Sequence, residues 1–514
     1  MTQPKRAWES RQIIERIVVE STLKLLTPTS LSNGDADGLT DISLIKDEVS
    51  GNALLTGTSV CGALRNYLRE FENGFNTADE SEIAVKLFGS HEDEGSQSLL
   101  IIDDAISSEK PKTELRDGVR IDGKTRTAYV DEHGKGSKFD LELLEAGIEF
   151  PLRFELLICE QRRNKEETAE EVKANTDKFK QELVTALATA LLGFELGEIN
   201  LGGRKRRGYG ECKVDGWKVK TYKLTEENGK HLLDWLRNNN NPLDGISEKP
   251  ILTALDVSPN ADIRTYFELD AWFAIDGSIL IRSGSKLPNV SDKGQPDTVH
   301  LRSKRNRVDA SIISGTSLAG VLRHRAFKII NTLSDEKVAQ IFTEKMFGDD
   351  DPKKKDKSAS RLEVSETVIK NTNDLVHTRV KIDRFTGGAF DSALFDAAPV
   401  FSDGEQEAVN LKLRLRNAQP CEIGLILLLL KDLWTSDLAV GGESSIGRGR
   451  LKGKSACMNY KNGSGSWHSN MERIDDHKVK IDGIENNTEK IDLLNKFVND
   501  FNHKLNPKEQ NNVE

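Results

Sequence analysis

Apolar positions along the chain fall into two periods, and the order in which they do so occurs twice. Ile17 to Leu26 and Tyr266 to Ile275 are rich in β-branched and aromatic residues with partial alternation, which predicts an opening strand in each half. A glycine-bearing loop follows each. Val60, Leu64 and Leu68 then recur at helical spacing behind Gly57-Thr58-Ser59, which supplies a turn and an N-cap. Leu318, Leu322, Ile329 and Ile330 do the same behind Gly315-Thr316-Ser317. Later strands are expected at Phe150 to Ile158 and Val409 to Leu415, with a helix at Lys180 to Leu192. The pattern is α+β, and the shape it suggests is a strand-and-helix sandwich of ferredoxin-like type.

The similarity of the halves extends to residues. Gly57-Thr58-Ser59-Val60-Cys61-Gly62-Ala63-Leu64-Arg65 returns as Gly315-Thr316-Ser317-Leu318-Ala319-Gly320-Val321-Leu322-Arg323, and Lys86-Leu87-Phe88-Gly89 as Lys345-Met346-Phe347-Gly348. Val119-Arg120-Ile121-Asp122 matches Val380-Lys381-Ile382-Asp383, and Leu201-Gly202-Gly203 matches Val440-Gly441-Gly442. Four matches in one order identify a tandem duplication. The polar run from Asn238 to Pro242 marks a boundary, giving domains at 1–241 and 242–453. After Gly453 the sequence turns polar, with one amphipathic segment near Ile491 to Phe501, so 454–514 is expected to be an appendage.

Composition narrows the setting. A chain of 514 residues with 37% hydrophobic and 30% charged residues, 40 Gly and 13 Pro is long enough for two cores and is globular rather than disordered. Met1 to Arg16 is charged throughout, which argues against an export signal, and the longest apolar run, Leu425 to Leu430, is too short to cross a bilayer. Cys61, Cys159, Cys212, Cys421 and Cys457 lie far apart without a C-x-x-C pair, so a reducing cytoplasm is the expected compartment.

A net charge of -10 argues against wholesale coating of nucleic acid, because non-specific affinity comes from Lys and Arg neutralising phosphates. Local clusters differ. Arg204, Lys205, Arg206 and Arg207 sit in one glycine-rich loop, and Arg302, Lys304, Arg305 and Arg307 precede the second Gly-Thr-Ser turn. Lys353 to Lys357 reads as a solvated loop.

Several of these segments carry a family resemblance. Asp41 to Asp47, followed by Leu54 to Ser59 and the helix with Gly62, Leu64 and Arg65, resembles the front motif of the RAMP superfamily, the repeat-associated mysterious proteins of CRISPR systems. Lys381-Ile382-Asp383-Arg384-Phe385-Thr386-Gly387-Gly388-Ala389-Phe390 resembles the central motif of the backbone subunit of type III complexes. Gly441 to Gly449 is similar to the superfamily's C-terminal glycine-rich loop, and Gly202 to Gly210 keeps its glycines and adds charge. The resemblance implies two tandem ferredoxin-like (RRM-like) domains with β-hairpin thumb insertions, in a fusion like that of type III-D complexes. It also implies as partners a guide RNA (crRNA), a complementary target RNA and other CRISPR effector subunits, with no membrane.

The residues admit a functional and a plain reading at each place. A Gly-Thr-Ser turn opening a helix presents amides and hydroxyls to a phosphate, or simply caps the helix. With the resemblance, Thr58, Ser59, Arg65, Thr316, Ser317 and Arg323 become RNA contacts, as do Arg204, Lys205, Arg206, Arg207 and Arg448 in the glycine loops. Phe385, Phe390, Leu394 and Phe395 are either core or, in a thumb, apolar wedges between bases, with Arg384 beside them. The first copy has Thr125, Arg126 and Tyr129 there, so its thumb departs from the pattern.

Relatives that cut target RNA use a loop aspartate and a divalent metal. Asp41 occupies that position, where the plain reading is a turn former; magnesium is the expected metal. In the second copy Asp297 is preferred and Asp309 is second. His300 and His324 are expected to face RNA or solvent rather than act as bases. Four functions therefore compete: a guide-binding subunit that cleaves target RNA, a non-catalytic scaffold on the same RNA path, a stand-alone guide-processing endoribonuclease and a nucleotide-cofactor enzyme. The third lacks a histidine in the first glycine-rich region, and the fourth lacks the spaced acidic residue its fold requires.

Overall fold

A computed structural model describes residues 12–505 except 33–43, 91–96, 124, 126, 131–135, 137, 162–166, 226–228, 239–242, 285, 288–289, 292–293, 350–356, 403–405, 464, 476–477 and 486. The first half opens with strand β1 (Ile13–Leu25), where Ile17, Val19, Leu23 and Leu25 are buried at alternating positions. Helix α1 (Gly57–Asn73) follows, then α2 (Glu82–Phe88) and the short strand β2 (Leu100–Ile102). An inserted hairpin, β3 (Thr113–Val119) and β4 (Lys138–Leu144), leads into β5 (Glu149–Cys159).

Helix α3 (Ala169–Glu195) begins well before the apolar stripe expected from Lys180, because Thr168 and Glu171 form a reciprocal capping box at its start. Strands β6 (Cys212–Val214) and β7 (Lys218–Lys223) both pair with β1, giving the antiparallel order β2-β5-β1-β6. Register places Val19 opposite Phe154 and Leu23 opposite Phe150, so the apolar sides of both strands meet Leu64 and Leu68 of α1 and Leu187 of α3 in one core.

That core does not stop at residue 241. Helix α4 (Lys230–Asn238) lies next to β7, and α5 (Ile251–Leu255) buries Ile251 in the first core, so the chain up to Val257 still packs with the first copy. The expected boundary itself falls largely on residues outside those described.

The second half repeats the plan. Strand β8 (Tyr266–Asp276) leads through β9 (Arg302–Arg305) and β10 (Val308–Ile313) to α6 (Gly315–Leu333), α7 (Glu336–Phe347) and β11 (Leu362–Val364). A hairpin of β12 (His377–Ile382) and β13 (Ala389–Ala398) is again inserted before the next sheet strand, β14 (Val409–Arg416). Helix α8 (Pro420–Trp434) and strand β15 (Arg450–Asn462) complete the order β11-β14-β8-β15, the counterpart of the first sheet.

Residue 453 is inside β15, so the segment beyond it is no appendage. Strands β16 (Gly465–Arg473), β17 (Val479–Ile481) and β18 (Ile484–Glu485) extend this sheet, and α9 (Thr488–Leu505) packs Phe497, Phe501 and Leu505 into the second core. A side chain on Gly424 would overlap the Phe497 carbonyl; the glycine is what lets α9 lie close on α8. Polar composition concealed this, because only three positions of α9 are fully buried.

Charge binds the two copies together. Arg264 is buried, donates to Glu198 of the first copy at 2.9 Å and to Asp262 at 2.8 Å, and lies against the rings of Tyr67 and Phe71. Glu198 also accepts from Arg414 at 2.7 Å. Burial works against its charge, yet Arg414 and Arg264 hold its carboxyl down to about 2. A second link joins Arg116 of β3 to Glu366, with bonds of 2.8 and 3.2 Å, where Arg305 also meets Glu366.

Candidate nucleic-acid interface

In the first copy the glycine loop and the helix start come together. Gly203 N donates to Ser30 O at 3.0 Å, and a side chain on Gly202 would overlap that same carbonyl. Ser30, Ser32, Thr56, Ser59, Gly202 and Gly203 are among the residues lining a cleft of about 100 Å³. The cap of α1 is Thr56, one residue before the expected turn: its hydroxyl accepts Ser59 N at 3.3 Å and Thr58 Oγ1 at 3.1 Å. Thr58 and Ser59 are exposed. The Gly57 amide, however, already donates to Asp104 at 2.7 Å, so a carboxylate holds part of the expected phosphate seat at the positive end of α1.

The second copy reproduces the loop contact and the helix cap. Gly442 N donates to Leu280 O at 2.8 Å, Ser314 accepts Ser317 N at 3.3 Å, and Thr316 Oγ1 donates to Ser314 at 3.0 Å. Both loops close alike, with Leu201 N to Gly210 O at 2.9 Å and Val440 N to Gly449 O at 2.8 Å. Each also puts a non-glycine residue in the left-handed region, Arg204 and Glu443, ahead of a short 3-10 turn.

The inserted hairpins differ at their tips. Asp383 organises the second one: its carboxylate accepts Phe385 N and Thr386 Oγ1, each at 3.0 Å, and its own N–H donates to Gly388 O at 2.8 Å. Phe385 stands 99% exposed on this fixed turn, and Phe390, Leu394 and Phe395 are exposed along β13. These residues are not core. In the first hairpin Asp122 makes the matching turn with Thr125 at 2.7 Å, while Arg126 lies outside the described residues.

A family model described as the RAMP superfamily matches residues 22–213 and 278–452, which is more than half of the chain and one match per copy. The chain belongs to the RAMP superfamily. No curated protein matches it. Membership points to a CRISPR-associated, RNA-binding subunit of a multisubunit complex. Among the described residues no helix is long and apolar enough to cross a membrane.

In this RAMP protein many of the expected RNA contacts are already engaged. Arg206 donates to Ser360 O and Arg207 to Phe347 O at 3.2 Å, both across the seam to the second copy. Burial, then the nearby Arg323 and Arg206 charges, push Arg207 down to about 10. Lys304, Arg305 and Arg307 pair with Glu145, Glu366 and Glu109, and Arg302 with Asp309 and Asp374. Arg206, Arg207, Lys304 and Arg307 thus bond across the copies, while Arg302 and Arg305 pair within the second. Arg65 is bound by Glu80 through bonds that include one of 2.7 Å, and Arg323 donates to Gly348 O at 2.8 Å. Arg448 is buried, 3.3 Å from Glu443. Arg204, Lys205, Thr316 and Arg384 remain exposed, and Ser317 is half-buried.

The acidic and histidine candidates divide similarly. Asp41 lies outside the described residues. Asp297 is exposed and accepts the Asp396 amide at 2.9 Å, so it fastens the base of the second hairpin. Asp309 is tied to Arg302 at 2.6 Å rather than lying in an open loop. Among the described residues no group of three or more His, Cys, Asp or Glu converges to hold a metal. His300 does not face RNA or solvent. It is buried, accepts Ile281 N–H on Nδ1 at 3.1 Å and donates from Nε2 to Ile312 O at 2.9 Å; burial pushes it down to about 4.

Proposed function

We infer that this chain is a guide-RNA-binding backbone subunit of a type III CRISPR effector, a type III-D-like fusion of two ferredoxin-like units. The order β2-β5-β1-β6 and its counterpart support the ferredoxin-like reading. The observation that carries the function is the pairing, in both copies, of a glycine loop with the hydroxyl-bearing start of a helix. Backbone amides and hydroxyls recognise phosphate and ribose without reading bases, as a subunit that leaves specificity to guide pairing requires. Phe385, fixed on its turn and bare to solvent, is the apolar wedge that unstacks a base step of the guide–target duplex, at a cost of a few kcal/mol.

Cleavage of the target beside the displaced nucleotide, with magnesium and with Asp41 and Asp297 in the catalytic role, is the enzymatic form of this reading. The alternative is a scaffold on the same RNA path, favoured for the second copy by the bond between Asp297 and Asp396. Cleavage mapping of a labelled guide-complementary RNA by the purified assembly separates them. If Asp41→Ala and Asp297→Ala each erase one distinct cut while binding persists, both copies cut. If every cut survives both changes, the aspartates shape loops and the chain is a scaffold.

A further inference from the structure

The left-handed residue of each glycine loop reaches the inserted hairpin of its own copy, by opposite chemistry. In the first copy the Arg204 guanidinium lies 4.1 Å from the ring centre of Phe139, on β4. In the second, Glu443 binds Arg379 of β12 at 2.6 Å, Arg282 at 3.3 Å and Arg448 at 3.3 Å. Three guanidiniums thus surround one carboxylate. Arg448 is only 6% exposed, and its Nη1, though near Glu443, makes no hydrogen bond. Its buried charge is incompletely satisfied, and burial with the like charges of Arg379 and Arg282 lowers its proton affinity. Arg282, at the other side, is 65% exposed and opens the cluster to solvent.

The cluster carries more positive charge than the single carboxylate of the loop neutralises. We propose that Glu443 is a resident anion in a phosphate seat made by Arg282, Arg379 and Arg448, and that a phosphodiester of bound RNA displaces it and unlatches the β12–β13 hairpin. This rests on the RNA-binding reading above. In the first copy the corresponding residue is Arg204, which brings a positive charge in place of the carboxylate and lies on Phe139. The copies therefore grip RNA unequally, and occupancy of the second seat is coupled to the hairpin that carries Phe385.

The test uses the full chain, a labelled single-stranded RNA and the Glu443→Gln variant. The variant is expected to bind about fivefold to tenfold more tightly, with a salt dependence steeper by about 0.7 in log–log slope, because one more cation is released to phosphate. Hydrogen exchange at 377–398 should rise on RNA binding in the wild type and be raised already in the variant. Equal or weaker binding by a folded Glu443→Gln chain overturns the proposal while leaving RNA binding intact. If Glu443→Gln does not fold, Arg282→Gln decides: weaker binding supports the seat, and unchanged affinity overturns it. If the wild type binds no RNA, the RNA reading itself fails, and inorganic pyrophosphate becomes the probe. A larger rise in Tm for Glu443→Gln than for wild type then supports the seat, and equal rises overturn it.

Discussion

Truncation of Arg116 should separate the two copies energetically. Its side chain is 4% exposed and donates to Glu366 at 2.8 and 3.2 Å and to Glu114 at 2.8 Å, while the Glu366 side chain is 1% exposed. Arg116→Ala leaves Glu366 buried with Arg305 as its remaining cationic partner. Breaking a buried pair on one side costs about 3–5 kcal/mol, because the surviving charge has lost its compensation. Since Arg305 stays, the lower end, about 3 kcal/mol, is expected. Replacing both partners, Arg116→Met with Glu366→Met, should cost less than the single change, because the buried Glu366 charge goes with its partner while Arg305 and Glu114 keep hydrogen bonds to Ser303. Urea unfolding followed by tryptophan fluorescence measures both, and in Arg116→Ala the transition should broaden or split as the copies lose coupling. A loss below about 1 kcal/mol in Arg116→Ala would mean that this buried pair does not hold the copies together.

Three further outcomes are expected. His300 has a folded pKa depressed to about 4, so the unfolded chain takes up its proton first; the stability it confers is full above about pH 6.5 and is lost as pH falls toward 4, roughly 3 kcal/mol in all. Unfolding measured against pH should show that slope in wild type, and His300→Gln should remove it. Phe501→Ala should destabilise the second copy by about 3–5 kcal/mol in denaturant titration, since Phe501 is fully buried between α8 and Phe342. A loss near zero would return the C-terminal segment to the status of an appendage. Phe385→Ala should leave the unfolding free energy unchanged to within about 0.5 kcal/mol, while weakening distortion of a guide–target duplex reported by a 2-aminopurine probe.

The duplication and both sheets were legible because their signals are local: alternation in Ile17 to Leu25, helical spacing at Val60, Leu64 and Leu68, and glycines that no other residue replaces. Gly57 and Gly315 recur because a side chain at either would overlap the end of a sheet strand, at Ile102 and Val364. What misled was partnership. Arg206, Arg207, Arg305 and Arg307 look alike in sequence, and only the fold gives the first two the carbonyls of Ser360 and Phe347 and the last two Glu366 and Glu109. His300 likewise carries no sign of its two backbone bonds. In α9 the segment near Ile491 to Phe501 reads as amphipathic in sequence, but its receiving surface at Gly424 lies in a distant segment.

Photo-crosslinking of a 4-thiouridine-labelled guide RNA to the purified chain, with peptide mapping, tests the central claim most directly. Crosslinks are expected at 56–59 and 202–210 in the first copy and at 314–317 and 441–449 in the second. Crosslinks confined to the outer faces of α3 and α8, or lost from both glycine loops, would contradict it.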